Sequence, residues 1–312
     1  MSTRHGPLPM VAGFLLACYL ALMVKNKQPA DHHFVPQLLL RNFVDHAGDL
    51  HVYDRRTPQR GVFYNPPQKV FFESQLYTAY ERDLSKNVDL ELAFASLEGV
   101  LAPVVERIVE GARQGEIVAP HPGERQLLAL YTYYQWKRVP DNFKQYASLA
   151  TIRVDGEEAL RRFEAEFGTL DDQEREHFQR DETWRRMLQN VRRDVIARGN
   201  PAIVEAINNK NLCIVRASNP KHAFVISSYP VYKLHHPGRA NLDDPELEMW
   251  FPIASEVSLV WVGHGGDTLF KPLSDGVEIR RLNKCAAAKA NMIASRSPEL
   301  TASLASSVGS QM

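Results

Sequence analysis

The chain has 312 residues, of which 44% are hydrophobic and 24% charged, as in an ordinary globular protein of one large domain or two smaller ones. Lys plus Arg equals Asp plus Glu at 37 each, so the basic excess typical of a dedicated nucleic-acid-binding protein is missing. Three widely spaced cysteines, Cys18, Cys213 and Cys285, fit neither a disulfide scaffold nor a structural zinc site, and they favour a reducing compartment.

An apolar run at residues 10–24, MVAGFLLACYLALMV, sets the first 24 residues apart from the rest. Three interpretations stay open: a membrane anchor, a cleaved signal sequence, or a start codon assigned too early, with Met23 as the true start. The run is short for a spanning helix, which needs ~20 apolar residues, and no small-x-small cleavage site follows it. We expect a cytoplasmic protein, or a membrane-associated one if residues 10–24 are a real anchor.

The next segments predict a short helix and then a strand pair. Residues 34–43 form the helix, and LHVYDRR (50–56) and GVFYN (61–65) form two strands joined by a turn at Thr57–Pro58. Residues 65–78 contain two adjacent prolines and predict an ordered loop.

The middle of the chain has helical periodicity. Apolar residues between Leu90 and Ile108 recur at spacings of three and four, which predicts a helix with one apolar stripe. Residues 123–138 predict a second helix, which Pro140 closes. Residues 141–209 are rich in Arg, Glu and Asp and predict two or three solvated helices.

The last third returns to strands. NLCIVRAS, HAFVISS and SEVSLVWVGH are short and β-branched, and residues 282–295 predict an alanine-rich closing helix. Strands, helices and strands without regular alternation predict an α+β fold. We expect an N-terminal strand pair, a central helical bundle and a small antiparallel C-terminal sheet with a closing helix. One domain over residues 31–295 and a disordered tail over 296–312 complete the prediction.

Several short motifs occur in a recognisable order along the chain. DHHFVPQLLLRNF (31–43) fits HHxVPxxxLRxF, Gly48–Asp54 fits a strand with the pattern GLYVYD, and residues 135–140 fit QxxRxP. With these motifs the chain resembles the mostly bacterial domain of unknown function family four-two-three-eight, over roughly residues 31–295. The resemblance implies membership of a family that brings no established activity.

One C-terminal motif departs from the family pattern. Family members often carry TSDNPV, whereas this chain has ISSYPV at 226–231, with Ser228 and Tyr229 where Asp and Asn are expected. If the missing Asp is catalytic in relatives, the resemblance implies that this member is impaired.

His32 and His33 form an unusual pair of adjacent imidazoles, which titrate near neutrality and suit a general base or a metal ligand. His33, Asn42 and His51 follow the order of a His–Asn–His nuclease, but here Asn42 lies on a predicted helix and His51 opens a predicted strand. A structural role is equally open, because Pro36 suits a first helical turn and the pair then orients the segment before it.

Glu91 and Glu98 are seven residues apart, nearly two helical turns, so both carboxylates fall on one helix face. Gln135 and Arg138 form a polar strip on the next predicted helix. If the two helices pack antiparallel, Arg138 pairs with one of the glutamates, and we favour this structural interpretation.

Two functional hypotheses follow from these residues. The first is a hydrolase, optionally dependent on a divalent metal, that acts on a phosphodiester or other polar substrate in a central cleft. Its residues are His32 and His33 as bases or metal ligands, Glu91 and Glu98 as metal ligands, Arg138 as an anion clamp, and Gln135, Arg41 and Ser228 as substrate contacts. The second is a non-catalytic binding protein in which the same groups hold the architecture, and Ser228 in place of Asp favours it.

Overall fold

A computed structural model describes residues 30–81, 83–116, 118–144, 147–235 and 241–310. The apolar segment at residues 1–24 lies outside these residues. Within them, no helix combines the length and the apolar character needed to cross a membrane.

The strands and helices follow the predicted order. The strands are β1 (Asp31–His33), β2 (Leu50–Asp54), β3 (Phe63–Asn65), β4 (Phe72–Ser74), β5 (Ala79–Tyr80), β6 (Lys86–Asn87), β7 (Asn211–Ala217), β8 (Ile226–Ser227), β9 (Tyr232–Leu234), β10 (Glu248–Pro252), β11 (Val257–Val262), β12 (Thr268–Leu273) and β13 (Met292–Ser295). The helices are α1 (Gln37–Leu40), α2 (Asp89–Gln114), α3 (Pro122–Lys137), α4 (Pro140–Lys144), α5 (Leu149–Phe167), α6 (Asp172–Gln179), α7 (Asp181–Ala197), α8 (Pro201–Asn208), α9 (Gly276–Ala288) and α10 (Pro298–Leu304). This order of strands, helices and strands confirms the α+β class.

The chain divides into two compact units, where the sequence predicts one domain over 31–295. The first, called here the helical unit, comprises Ser74–Leu97 and Pro140–Arg198 together with residues 30–32. The second, the sheet unit, comprises His33–Glu73, Glu98–Val139 and the chain from Gly199 onward.

The sheet unit contains the predicted N-terminal strand pair. β2 and β3 are antiparallel, with Leu50 opposite Asn65 and His51 opposite Tyr64. The pair is part of a larger sheet, however, because β13 lies antiparallel to β2 on its other side and β8 follows, in the order β3-β2-β13-β8. Strands from the two ends of the chain therefore share one sheet.

A five-stranded sheet in the order β12-β7-β11-β10-β9 also belongs to this unit. The predicted antiparallel C-terminal sheet is present, and β12 adds to it an edge strand that runs parallel to β7. β12 was not predicted because none of its residues is fully buried and because it includes Lys271 and Pro272. Such residues are typical of an edge strand and weaken the β signal.

The predicted closing helix is present, but it begins and ends earlier than the predicted 282–295. α9 begins at Gly276, after the Asp275 side chain accepts a hydrogen bond from the Val277 N–H, and it ends at Ala288. The residues predicted to complete the helix form β13 instead. The expected disordered tail over 296–312 contains α10, whose first turn is capped by the Ser297 side chain accepting from the Leu300 N–H.

The helical unit contains α4, α5, α6 and α7, more helices than the two or three predicted for 141–209, with α8 following in the sheet unit. Local caps separate them: Ser148 caps α5, and Asp171 with Glu174 forms a capping box at α6. α5 and α7 pack closely at Gly156, where the ring of the buried Trp184 lies against the backbone.

Candidate functional site

His32 belongs to the helical unit and is completely buried. Its Nδ1 accepts a hydrogen bond from the Tyr77 backbone N–H at 2.9 Å, and the two rings stack with centroids 5.5 Å apart and planes 15° from parallel. Because Nδ1 accepts, the neutral ring carries its proton on Nε2. This environment orients the imidazole through the backbone and fits the architectural interpretation of the pair.

The predicted metal cluster takes His32 and Glu91 from the helical unit and His33 and Glu98 from the sheet unit, and it stays a prediction. In the part of the chain that the structure describes, no group of three or more His, Cys, Asp or Glu side chains is placed to hold a metal ion. The Tyr77 N–H donates a hydrogen bond to Nδ1 of His32, and the ring centroids of His33 and Phe72 are 5.7 Å apart. Glu98 forms an ion pair with Arg138.

Glu98 forms an ion pair with Arg138 inside the sheet unit. The Arg138 Nη2 donates to Glu98 Oε1 at 2.9 Å, and the guanidinium is 1% exposed. With its amide oxygen turned toward Arg138, Gln135 accepts further bonds from Nε at 3.0 Å and Nη2 at 2.5 Å. This is the pairing of Arg138 with one glutamate that the spacing predicts.

Burial shapes the electrostatics of this pair. Burial raises the pKa of Glu98, and the Arg138 guanidinium opposes the rise. Burial likewise raises the pKa of Tyr131 far above its ordinary value, with the Glu98 carboxylate adding to the rise. The buried Arg138 guanidinium needs the Glu98 carboxylate as its counter-ion. The cluster of Glu98, Gln135 and Arg138 is therefore suited to fixing the end of helix α3.

Ser228 is also buried and serves the fold. Its Oγ accepts hydrogen bonds from the backbone N–H groups of Asn291 at 3.0 Å and Met292 at 3.4 Å. Its own N–H donates to the Met292 carbonyl at 2.8 Å. The hydroxyl predicted to contact substrate therefore ties β8 to β13.

Of the residues predicted from the sequence to form the site, Arg41 alone lines a well-formed pocket of the sheet unit. This pocket, called here the arginine pocket, has a volume of about 550 Å³ and lies wholly within the sheet unit. Its charged and titratable lining residues are Arg41, Arg113, Arg216, Arg296, Glu256 and His222. A volume of this size suits a small-molecule ligand.

Different elements deliver the four arginines. Arg41 ends α1, where its N–H donates to the Gln37 carbonyl at 3.1 Å, and Arg113 lies in the last turn of α2. Arg216 comes from β7, and Arg296 directly follows β13. The pocket therefore draws on both ends and the middle of the chain.

Asn42 fixes the wall that carries Arg41. Its side-chain Nδ2 donates to the Ile253 carbonyl at 2.9 Å, and its own carbonyl accepts from the Ser255 N–H at 3.0 Å. These bonds join the residue after Arg41 to the turn between β10 and β11, which also carries Glu256. Arg41 is thereby attached to the sheet instead of extending from a free loop.

The charges of the pocket are unevenly compensated. Arg113 Nε donates to Glu256 Oε1 at 2.5 Å, and the Ser255 hydroxyl donates to the other carboxylate oxygen at 2.5 Å. Arg41 has the Gln37 amide oxygen at 3.4 Å and Arg296 has the Pro220 carbonyl at 3.2 Å, both neutral acceptors.

No carboxylate among the described residues forms an ion pair with Arg41, Arg216 or Arg296. Four guanidinium groups and one carboxylate give the lining a formal charge of +3 if His222 is neutral. Arginine presents planar pairs of N–H donors that match the oxygens of phosphate or carboxylate. The arrangement can bind a small, multiply charged anion.

The model of a family described as a protein of unknown function, DUF4238, matches residues 31–298. The chain belongs to this family. The resemblance seen in the motifs is confirmed, and all residues that line the arginine pocket lie within the DUF4238 match. No curated protein and no solved structure matches the chain.

Most of the arginine pocket could not be predicted from the sequence. Arg41 belongs to the family motif, whereas nothing in the sequence shows that Arg113, Arg216 and Arg296 meet it. One local signal was present: Arg216 directly follows the apolar run LCIV in β7, and a half-buried arginine at such a position needs an anionic or polar partner.

Proposed function

We propose that this chain binds a small phosphorylated ligand in the arginine pocket. The observation that carries the proposal is that Arg41, Arg216 and Arg296 line one pocket while no described carboxylate pairs with any of them. Cations gathered in one pocket repel one another, and an anion bound among them removes that repulsion. The native state is thus prepared for a ligand of opposite charge.

Phosphate fits the pocket better than a single carboxylate does. A phosphate monoester carries up to two charges and three terminal oxygens, so it can accept hydrogen bonds from several guanidinium groups at once. A carboxylate has two oxygens and one charge, and Glu256 already occupies Arg113 in that way. The remaining arginines therefore favour the more highly charged group.

Isothermal titration calorimetry of the purified chain with phenyl phosphate, and with benzoate for comparison, tests the proposal. We expect phenyl phosphate to bind more tightly than benzoate, and its dissociation constant to rise with salt, since screening weakens charge pairing. Arg216→Gln is expected to raise that constant about tenfold, equivalent to ~1.4 kcal/mol.

The matched control is Arg185→Gln, which removes an exposed arginine of α7 outside the pocket and is expected to leave the affinity unchanged. The proposal fails if phenyl phosphate does not bind, or if folded Arg41→Gln and Arg216→Gln variants both bind it as the wild type does.

Hydrolysis of a phosphodiester is a second candidate, supported by the position of His222 in the pocket lining. Imidazole titrates near neutrality and is a common general acid or base, while the arginines would stabilise charge on the phosphoryl oxygens. In this version His222 takes the acid–base role first assigned to His32 and His33. Turnover of bis(p-nitrophenyl) phosphate that falls at least ~100-fold in His222→Gln would support it. If the wild type does not turn this substrate over, the hydrolysis candidate fails and the proposal of ligand binding stands alone.

A further inference from the structure

A smaller pocket adjoins the arginine pocket in the sheet unit. This side pocket has a volume of about 290 Å³ and shares Pro220, His222 and Arg296 with its neighbour. Since three residues line both spaces, the segment around His222 and the Arg296 side chain form the wall between them. The two pockets are therefore direct neighbours.

The side pocket is also basic. Its lining adds Lys221 and Arg280 to the shared Arg296, and it includes no Asp or Glu among the described residues. Arg280 is held in position, because its Nη1 donates to Ser303 Oγ at 3.3 Å and its Nη2 to the Ser303 carbonyl at 3.4 Å. Both partners are neutral, so the positive charge of Arg280 is not compensated by them.

The wall is firmly built. Asn283 on α9 accepts a hydrogen bond from the Val225 N–H at 3.1 Å and donates to the Ala223 carbonyl at 2.8 Å, which fixes the segment that follows His222. The His222 ring lies so close to Gly276 that an added Cβ there would overlap it. A glycine at the start of α9 therefore lets the imidazole occupy this position.

We infer that the ligand is a small molecule with two phosphate groups, one in each pocket, with Arg296 between them. This inference rests on the proposed function and adds the ligand's second anionic group. A monophosphate would leave Lys221 and Arg280 without an anion, whereas a second phosphate would meet both. The balanced net charge of the chain favours such a ligand over a polynucleotide.

A series of α,ω-alkanediol bisphosphates with increasing spacer length tests the inference, with the corresponding alkyl monophosphates as references. In calorimetric titrations we expect one spacer length to bind at least about tenfold more tightly than its monophosphate. The Lys221→Gln/Arg280→Gln variant is expected to remove that gain and to leave monophosphate affinity unchanged. Lys221→Gln alone is expected to lose part of the gain, and because Lys221 is exposed this variant tests the inference even if the Arg280 change disturbs the fold.

Arg281→Gln is the matched control, because Arg281 neighbours Arg280 on α9, pairs with Glu278 at 2.7 Å and does not line the side pocket. Equal affinity for every bisphosphate and its monophosphate overturns the inference while leaving the proposed function intact. If neither class binds, the proposed function fails as well. Tighter binding of a single-stranded oligonucleotide than of any bisphosphate would also overturn the inference.

Discussion

The same residue type serves different purposes at different positions of this chain. Arg138 is buried and bound to Glu98, and Arg125 is anchored in the core by the carbonyls of Asn208 and Asp267, both at 3.1 Å. Arg216, by contrast, lines a pocket in which no described carboxylate pairs with it. Burial and the charge of the partner, more than the residue type, decide whether an arginine stabilises the fold or is available for a ligand.

Arg138→Ala should strongly destabilise the protein. The change removes the fully buried partner of Glu98 and leaves that carboxylate without its counter-ion, and breaking a buried pair costs ~3–5 kcal/mol. Urea denaturation followed by circular dichroism measures the loss. The matched control is Arg107→Ala, which removes an ion pair to Glu124 in which the arginine side chain is 43% exposed. Exposed pairs contribute up to ~1 kcal/mol, so equal losses in the two variants would contradict the prediction.

The Glu98–Arg138 pair could be predicted from the sequence, whereas the arginine pocket could not. Helical spacing places Glu98 and Arg138 on definable faces of two consecutive helices. The contact between them then follows from the packing of these two helices alone. Arg41, Arg113, Arg216 and Arg296 come from four distant segments, and their meeting depends on the order of strands in two sheets. No local periodicity encodes that order.

At the scale of elements, close packing depends on single small residues. Gly156 of α5 lies against Trp184 of α7, whose indole N–H donates to the Phe178 carbonyl at 2.8 Å and is thereby fixed. The sequence indicated helices here but not their number, because the apolar positions of 141–209 are sparse and the helix ends depend on caps. Element type was predictable from periodicity, and element boundaries followed local hydrogen bonds.

Gly156→Ala is expected to lower the free energy of unfolding by ~1–3 kcal/mol, because its Cβ would overlap the Trp184 ring and force a shift. Gly99→Ala provides the control: Gly99 lies in α2 with nothing within 4 Å of an added Cβ. There, the better helix propensity of alanine should stabilise the protein by up to ~1 kcal/mol. Thermal unfolding of both variants gives the comparison. A stabilised Gly156→Ala variant would show that α5 and α7 are not so tightly packed.

At the scale of the whole molecule, the raised pKa of Glu98 makes stability depend on pH. The folded chain holds the Glu98 proton more tightly than the unfolded chain, in which a glutamate titrates near ~4.3. The contribution of protonated Glu98 to the free energy of unfolding is therefore fully present below the unfolded-state pKa. It is lost as the pH rises through the higher pKa of Glu98 in the folded chain. Between these two pKa values, ionisation of the unfolded state progressively favours unfolding.

In the Glu98→Gln variant, the side chain at this position is an amide, which does not titrate. We expect the difference in unfolding free energy between wild type and Glu98→Gln to shift in favour of the variant as the pH rises from about 4.3 toward neutrality. Urea titrations of both proteins over this range measure the difference, in which the titration of groups common to both chains cancels. A difference that stays constant with pH would contradict the raised pKa.

The edges of the five-stranded sheet have a consequence for how the protein behaves in concentrated solution. An exposed edge can recruit a strand from another molecule and start aggregation. β12 carries Lys271 and Pro272, and a proline has no N–H with which to bond an incoming strand. β9, at the opposite edge, has three residues, including Lys233, whose amine lies 4.7 Å from the centre of the Trp136 ring. Both edges thus discourage intermolecular strand addition.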